Sequence, residues 1–293
     1  LHDLPQKQIV KGRLFILIAA VLWGTSGAAQ SYAPAAASPA VLGAFRILIA
    51  GIFISFAAYV RKDIKNFKEF LTPVFLLTGL CQAMFQFGYF SSVKLTGVAV
   101  GVTTAIGSVP FFTGVLGFLF DKEKLNIVWF ISTALAVSGL CFLMFGGAQT
   151  VNIEISGILY ALAAGFSYAL FTLVSKKIMR TRTEDSVIGV SFLIGTVYLS
   201  VFFFIYPLDW VFEAGGISSV LYLGIISAGI AYMFYGRGLK FVKVSAVGTL
   251  TLAEPLTAAL LGIFLLNESV NFYSGTGLVL LFISQIAVVF NKQ

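Results

Sequence analysis

The feature that most constrains this chain is a succession of apolar runs, each about 20 residues long, separated by short segments that hold most of its charge. A run of that length as a helix matches the roughly 30 Å hydrocarbon core of a bilayer. In lipid, every backbone N–H and C=O must be satisfied within the segment, so long apolar runs become helices. Barrel strands would instead alternate over about 10 residues. Composition agrees: 59% of the 293 residues are hydrophobic and 11% are charged, against about 25% charged in soluble domains. The runs predict an all-α integral membrane fold of ten helices, over 13–31, 39–60, 70–92, 97–120, 125–145, 156–176, 186–206, 216–236, 244–266 and 272–290. The first run is long and carries no distinct small-residue cleavage site, so it reads as a span and not as a signal peptide.

The net charge of +7 does not point to nucleic acid, because no Lys/Arg-rich block occurs. With the N-terminus in the cytoplasm, 17 of the 19 basic residues fall in inside segments, from Lys7, Lys11 and Arg13 through to Lys292. Only Lys94 falls outside, and Arg46 lies within a span. This asymmetry predicts cytoplasmic N- and C-termini in a bacterial-type inner membrane. Trp129, Tyr160, Trp210 and Tyr273 fall near span ends, where belt aromatics are expected. Cys81 and Cys141 lie inside spans, which argues against a disulfide framework or a zinc site.

The sequence pairs with itself at an offset of 145. Pro110 matches Pro255, Glu123 matches Glu268 and Asn126 matches Asn271; Gly12 matches Gly157, Gly79 matches Gly224 and Thr104 matches Thr249. The expected organisation is therefore two five-helix repeats, 1–145 and 146–293. An odd number of spans per repeat makes the second enter the membrane the other way up. Inverted repeats place a substrate site near the midplane, between the halves.

Several residues stand out against the apolar background. Glu254 lies about ten residues, roughly 15 Å, into its helix, where a carboxylate is costly unless neutral, paired or hydrated. It suits proton coupling or a substrate ammonium, or a packing role. Arg46 could take a substrate carboxylate bidentately or serve as a structural tie. Gln82 and Gln86 share one helix face and could bind a polar substrate or tie helices. Trp23, Tyr89, Phe111, Tyr168, Tyr232 and Tyr235 could wall a site for an apolar or cationic molecule, although so aromatic a chain places many rings by chance. Pro110 and Pro255 each free a carbonyl, as hinges or as packing kinks. Gly97, Gly101, Gly107, Gly114 and Gly117 predict close helix packing. Glu123 and Glu268 are expected to sit at the N-termini of the helices that follow them.

Leu22-Trp23-Gly24, Phe45-Arg46, and the paired tails from Val109-Pro110 to Glu123 and from Glu254-Pro255 to Glu268 resemble the EamA family of the drug/metabolite transporter superfamily. In the first tail Val109 stands where the family pattern has an acidic residue, which leaves Glu254 as the acidic member of that pair. The resemblance implies a carrier with its first, third, fourth, sixth, eighth and ninth spans around a central cavity and its fifth and tenth peripheral. It also implies export of amino acids or related metabolites. Aromatic amino-acid exporters of the YddG type are one branch, which the motifs do not fix. A cation or drug exporter is the alternative within the family, and a channel or sensor the alternative outside it. The lone histidine, His2, and the lack of clustered polar chemistry or a P-loop argue against an enzyme or direct ATP coupling. The expected partners are a small-molecule substrate and the lipid bilayer, with no cofactor, no metal and no nucleic acid, in a monomer or weak homodimer.

Overall fold

The computed structural model describes residues 5–30, 32–145, 154–265 and 269–291. All described secondary structure is helical: α1 Gln6–Gly24, α2 Ser26–Gln30, α3 Pro39–Val60, α4 Pro73–Asp121, α5 Ile127–Phe145, α6 Ile155–Ile178, α7 Glu184–Leu199, α8 Phe202–Ile205, α9 Ala214–Leu221, α10 Ala231–Leu239, α11 Val244–Leu250, α12 Ala253–Leu265 and α13 Phe272–Phe290, with single 3-10 turns at Phe67–Phe70 and Asp209–Phe212. Among the described residues, nine helical stretches are long and apolar enough to cross a membrane. Glu268, Asn267, His2 and Lys292 lie outside the described residues.

The longest stretch is α4, with 49 residues. As one rod it would measure about 74 Å, more than twice the hydrocarbon core. It breaks at Gly97, whose φ of 81° and ψ of 168° suit glycine alone. Beyond the break the helix folds back on itself. A methyl group on Gly101 would come 2.9 Å from the Cα of Val93, a contact that a straight helix cannot make. The sequence separates these two runs, and the structure joins them through that tight turn.

Small residues set the helix crossings. α6 lies along α4 because Gly88, Gly157 and Gly165 present no side chain; a methyl on Gly165 would meet the Ala105 carbonyl oxygen at 2.7 Å. Two pairs of contacts are related by exchange of the chain's halves at the 145-residue offset. A methyl on Gly12 would meet Phe241 Cβ at 2.7 Å, and one on Gly157 would strike Thr96. A methyl on Gly79 would strike Ile194, and one on Gly224 would meet Ile49 at 2.5 Å. α5 and α13 likewise close on each other through Gly139 and Gly277, where a methyl on either would lie within 2.9 Å of the other's carbonyl oxygen. The outer surface is aromatic and aliphatic, with Phe56, Phe118, Phe204, Phe264 and Phe282 exposed, as lipid contact requires.

Some expectations need correction. α1 starts at Gln6, so Arg13 is helical rather than a loop charge. It is buried, and its Nη1 donates to the carbonyls of Val289 at 2.8 Å and Asn291 at 2.7 Å. A guanidinium there satisfies the free carbonyls of the α13 C-terminus and complements its dipole. Trp210 is not a belt residue: it is buried, donating from Nε1 to the Pro207 carbonyl. Trp129 lies over Gly114 and donates to the Ser245 carbonyl at 2.9 Å, which ties α5 to α11. Glu123 does not serve the helix that follows it. Its carboxylate accepts from the N–H groups of Val244 and Ser245, at 2.6 and 3.0 Å, and from Ser245 Oγ at 2.7 Å. It therefore caps α11 in the other half of the chain. Gly117 makes room for it, because a methyl at Gly117 would lie 2.7 Å from Glu123 Oε2.

Candidate functional site

A cavity of about 110 Å3 lies at the centre of the helices. Eight residues singled out from the sequence line it: Trp23, Arg46, Gln82, Gln86, Tyr89, Tyr168, Tyr232 and Glu254. They come from the spans the resemblance implied and also from α3, which contributes Arg46 and Ile47. Tyr235 does not reach the cavity. It is fully buried behind it, with its ring 5.5 Å from Trp23 and 5.4 Å from Tyr232 and its hydroxyl 2.7 Å from Thr172 Oγ1. Phe111 is 61% exposed and faces outward, because its position on α4 turns away from the cavity wall carrying Ile106 and Val109. Ser26, Gln30, Phe85, Phe90 and Thr251 also line the cavity. They carried no sequence signal, since short polar residues and phenylalanines are unremarkable in helices of this composition.

Local breaks in helical structure aim these groups. The ninth predicted span is interrupted by a turn at Thr251 and Leu252, so α12 starts afresh at Ala253. Glu254 thus stands in the first turn of α12, where free N–H groups favour an anion. Pro255 occupies the same first turn, where its missing N–H costs nothing. It starts a helix rather than kinking one. Pro110 differs, lying inside α4, with Thr113 Oγ1 donating to the carbonyls of Val109 and Pro110 at 2.9 and 3.1 Å. Gly248 packs onto this spot, 2.8 Å from Pro110 Cα were it to carry a methyl, so the two interrupted segments cross beside the site.

Gly24 lets α1 approach the same place. A methyl there would meet Thr257 Cβ at 2.6 Å and the Glu254 carbonyl oxygen at 2.7 Å. Trp23 then presents its indole to the cavity and Gly24 its backbone to α12. A further loosening lies opposite, where residues Tyr222–Ile230 run as a π-helix, a form that recurs at functional sites. It delivers Ala228 to the cavity wall, and Tyr232 follows one turn later.

The cavity floor is aromatic. Trp23 lies 6.4 Å from Tyr168 and 4.8 Å from Tyr232, between ring centroids. Beneath this cluster, toward the ends of α6 and α10, the chain is tied by buried polar contacts. These include the Glu123 carboxylate, which accepts from the N-terminus of α11, and Lys176, whose ammonium donates to the Val242 carbonyl. Ion pairs from Arg61 to Asp185, at 2.5 Å, and from Lys240 to Glu184 lie on the same side.

The walls are chemically unfinished. Among the described residues, the side chains of Arg46 and Glu254 have no hydrogen bond or ion pair to another side chain. Trp23 Nε1 is buried without a hydrogen-bond partner, and Gln82 Nε2 and Tyr168 Oη have only the loosely placed hydroxyls of Tyr232 and Tyr235 beside them. Buried polar groups are ordinarily satisfied, so this arrangement leaves donors and both charges for a ligand or water. No group of His, Cys, Asp and Glu among the described residues could hold a metal ion.

A model of the EamA-like transporter family matches the chain twice, over residues 10–145 and 155–290. The chain belongs to the EamA-like transporter family. It is thus a multi-pass membrane protein of the drug/metabolite transporter superfamily, a secondary transporter of small molecules and not an enzyme. It is 38% identical over 275 residues to an uncharacterized transporter of Bacillus subtilis (strain 168), YwfM, covering 94% of this chain and 92% of the relative. It is 24% identical over 292 residues to an uncharacterized inner membrane transporter of Salmonella typhimurium, YicL, covering 97% and 96%. A solved crystal structure superposes with a TM-score of 0.82 at 21% identity, covering 94% of this chain and 95% of that one, which speaks to the fold alone.

Proposed function

We propose that this EamA-family transporter exports amino acids or closely related zwitterionic metabolites by alternating access, with Glu254 coupling transport to protons. The observation that carries this reading is the placing of opposite charges, Arg46 and Glu254, on one aromatic-walled cavity without a direct ion pair between them among the described residues. A zwitterion supplies a carboxylate for the guanidinium and an ammonium for the carboxylate. Trp23, Tyr89 and Tyr232 offer flat apolar surface to its side chain. A substrate that neutralises both groups in place of water removes the cost of two unpaired charges away from bulk solvent.

The moving parts in this reading are two inverted five-helix repeats, 1–145 and 146–293. Supporting it are the double family match, the half-exchanged glycine contacts, and the break at Gly97, which counts α4 as two spans and brings the total to ten. Lysine-rich ends on the side of α6 and α10 support cytoplasmic termini. On that orientation the aromatic floor lies on the cytoplasmic side of the cavity.

The cage of rings around Glu254 favours one second reading, export of organic cations. Uptake of a panel of labelled amino acids and quaternary amines into proteoliposomes separates the two. Saturable uptake of zwitterions that Arg46→Gln weakens supports amino-acid export. Saturable uptake of the amines alone, indifferent to Arg46→Gln, supports cation export and sinks the first reading.

A further inference from the structure

A second chamber of about 600 Å3 adjoins the cavity, bounded by the start of α3, the end of the first half of α4, and α8 with the residue that follows it. Its walls are mostly apolar, with Phe87, Phe202 and Tyr206 prominent, and Lys94 stands on its rim. Two residues, Gln86 and Phe90, line both spaces. Both lean on Gly43: Gln86 Nε2 donates to the Gly43 carbonyl at 3.4 Å, and a methyl on Gly43 would strike the Phe90 ring at 2.5 Å. At these two residues the shared wall is made of side chains. A side chain crosses between rotamers in nanoseconds to microseconds without any helix moving.

The charges of the two spaces differ in a way that gives them an order. The central cavity offers a cation and an anion, Arg46 and Glu254. The lining of the outer chamber includes one cation, Lys94, and no acid. Among the described residues Lys94 has no ion-pair partner. A zwitterion would be held at both ends in the first space and by its carboxylate alone in the second, so its hold loosens as it moves outward. The outer chamber's aromatic walls would take the apolar side chain over the same step.

We infer that this chamber is an exit subsite for the transported molecule, which binds there by its carboxylate at Lys94 after Gln86 and Phe90 swing aside. The inference rests on the amino-acid reading above. Its test is labelling of Ser91→Cys, a chamber-lining position, in a Cys81→Ala, Cys141→Ala background in phosphatidylcholine proteoliposomes. Measured against the same two reagents on a small free thiol, an anionic methanethiosulfonate is expected to gain about fivefold over a cationic one of similar size, the effect of one nearby charge at a solvated surface. Lys94→Gln should erase that preference. A saturating transported amino acid should slow the reaction, and Phe90→Ala should open Ile47→Cys to the same external reagent. Labelling that a transported amino acid leaves unchanged would overturn the inference. So would protection that appears only when phosphatidylglycerol is added, which would make the chamber a lipid site. A wild-type protein that moves no amino acid in the uptake panel fails the amino-acid reading instead, and the charge preference at Ser91→Cys is scored apart from it.

Discussion

Replacing Glu254 by Gln is expected to reduce proton-driven net flux of the transported amino acid by about 10- to 100-fold and to leave the substrate-for-substrate exchange that remains indifferent to pH. The variant keeps the size and one carbonyl oxygen of the side chain, so α12 still starts at Ala253 and the cavity keeps its shape. What it loses is the charge. A hydrogen bond to a charged group contributes about 1.5–3 kcal/mol, which corresponds to that range in an equilibrium. The measurement is proteoliposome flux with and without an imposed pH gradient. Wild-type flux should respond to the gradient and variant flux should not. Gradient-driven flux surviving at the wild-type level in Glu254→Gln would reduce this carboxylate to a packing element at the start of α12.

The second large effect is expected at Glu123, far from the cavity. Its carboxylate accepts three hydrogen bonds at the N-terminus of α11, and it is 6% exposed. Glu123→Ala leaves two backbone N–H groups buried and unpaired and removes a negative charge from a helix N-terminus. Loss of a helix cap costs about 1 kcal/mol, and each buried donor left unpaired costs about 1–3. A loss of about 2–4 kcal/mol is expected, read as a lower melting temperature in detergent. Ser245→Ala should cost less, about 1 kcal/mol, since it removes one hydroxyl and leaves the backbone contacts in place. Equal melting of Glu123→Ala and wild type would mean that the cap can be replaced by water.

How much of this was legible in the sequence depends on whether a signal is local. Apolar runs are local, so the multi-pass helical fold is legible in the sequence alone. Charge and amides inside such runs are also conspicuous, and Arg46, Gln82, Gln86 and Glu254 could be singled out, as the structure gathers them around one cavity. Tyr232 and Tyr235 share a helix face in sequence terms, yet one lines the cavity and the other sits a turn deeper against Thr172. That difference is one of depth, which periodicity does not encode. The partners of Arg13, Glu123 and Trp129 lie more than 100 residues away in the chain, and no spacing announces them. The helix restart at Ala253 was also hidden, because Glu-Pro reads equally well as a kink within a helix or as the start of one.

The aromatic floor has an optical consequence. The chain has three tryptophans. Trp129 and Trp210 each donate their indole N–H to a backbone carbonyl, away from the central cavity. Trp23 alone of the three has its indole N–H buried without a protein partner and its ring on the cavity wall. The arrival of a polar guest changes the surroundings of that one fluorophore and leaves the other two in place. The protein therefore carries a reporter of occupancy in its own floor, readable in unlabelled material by its emission.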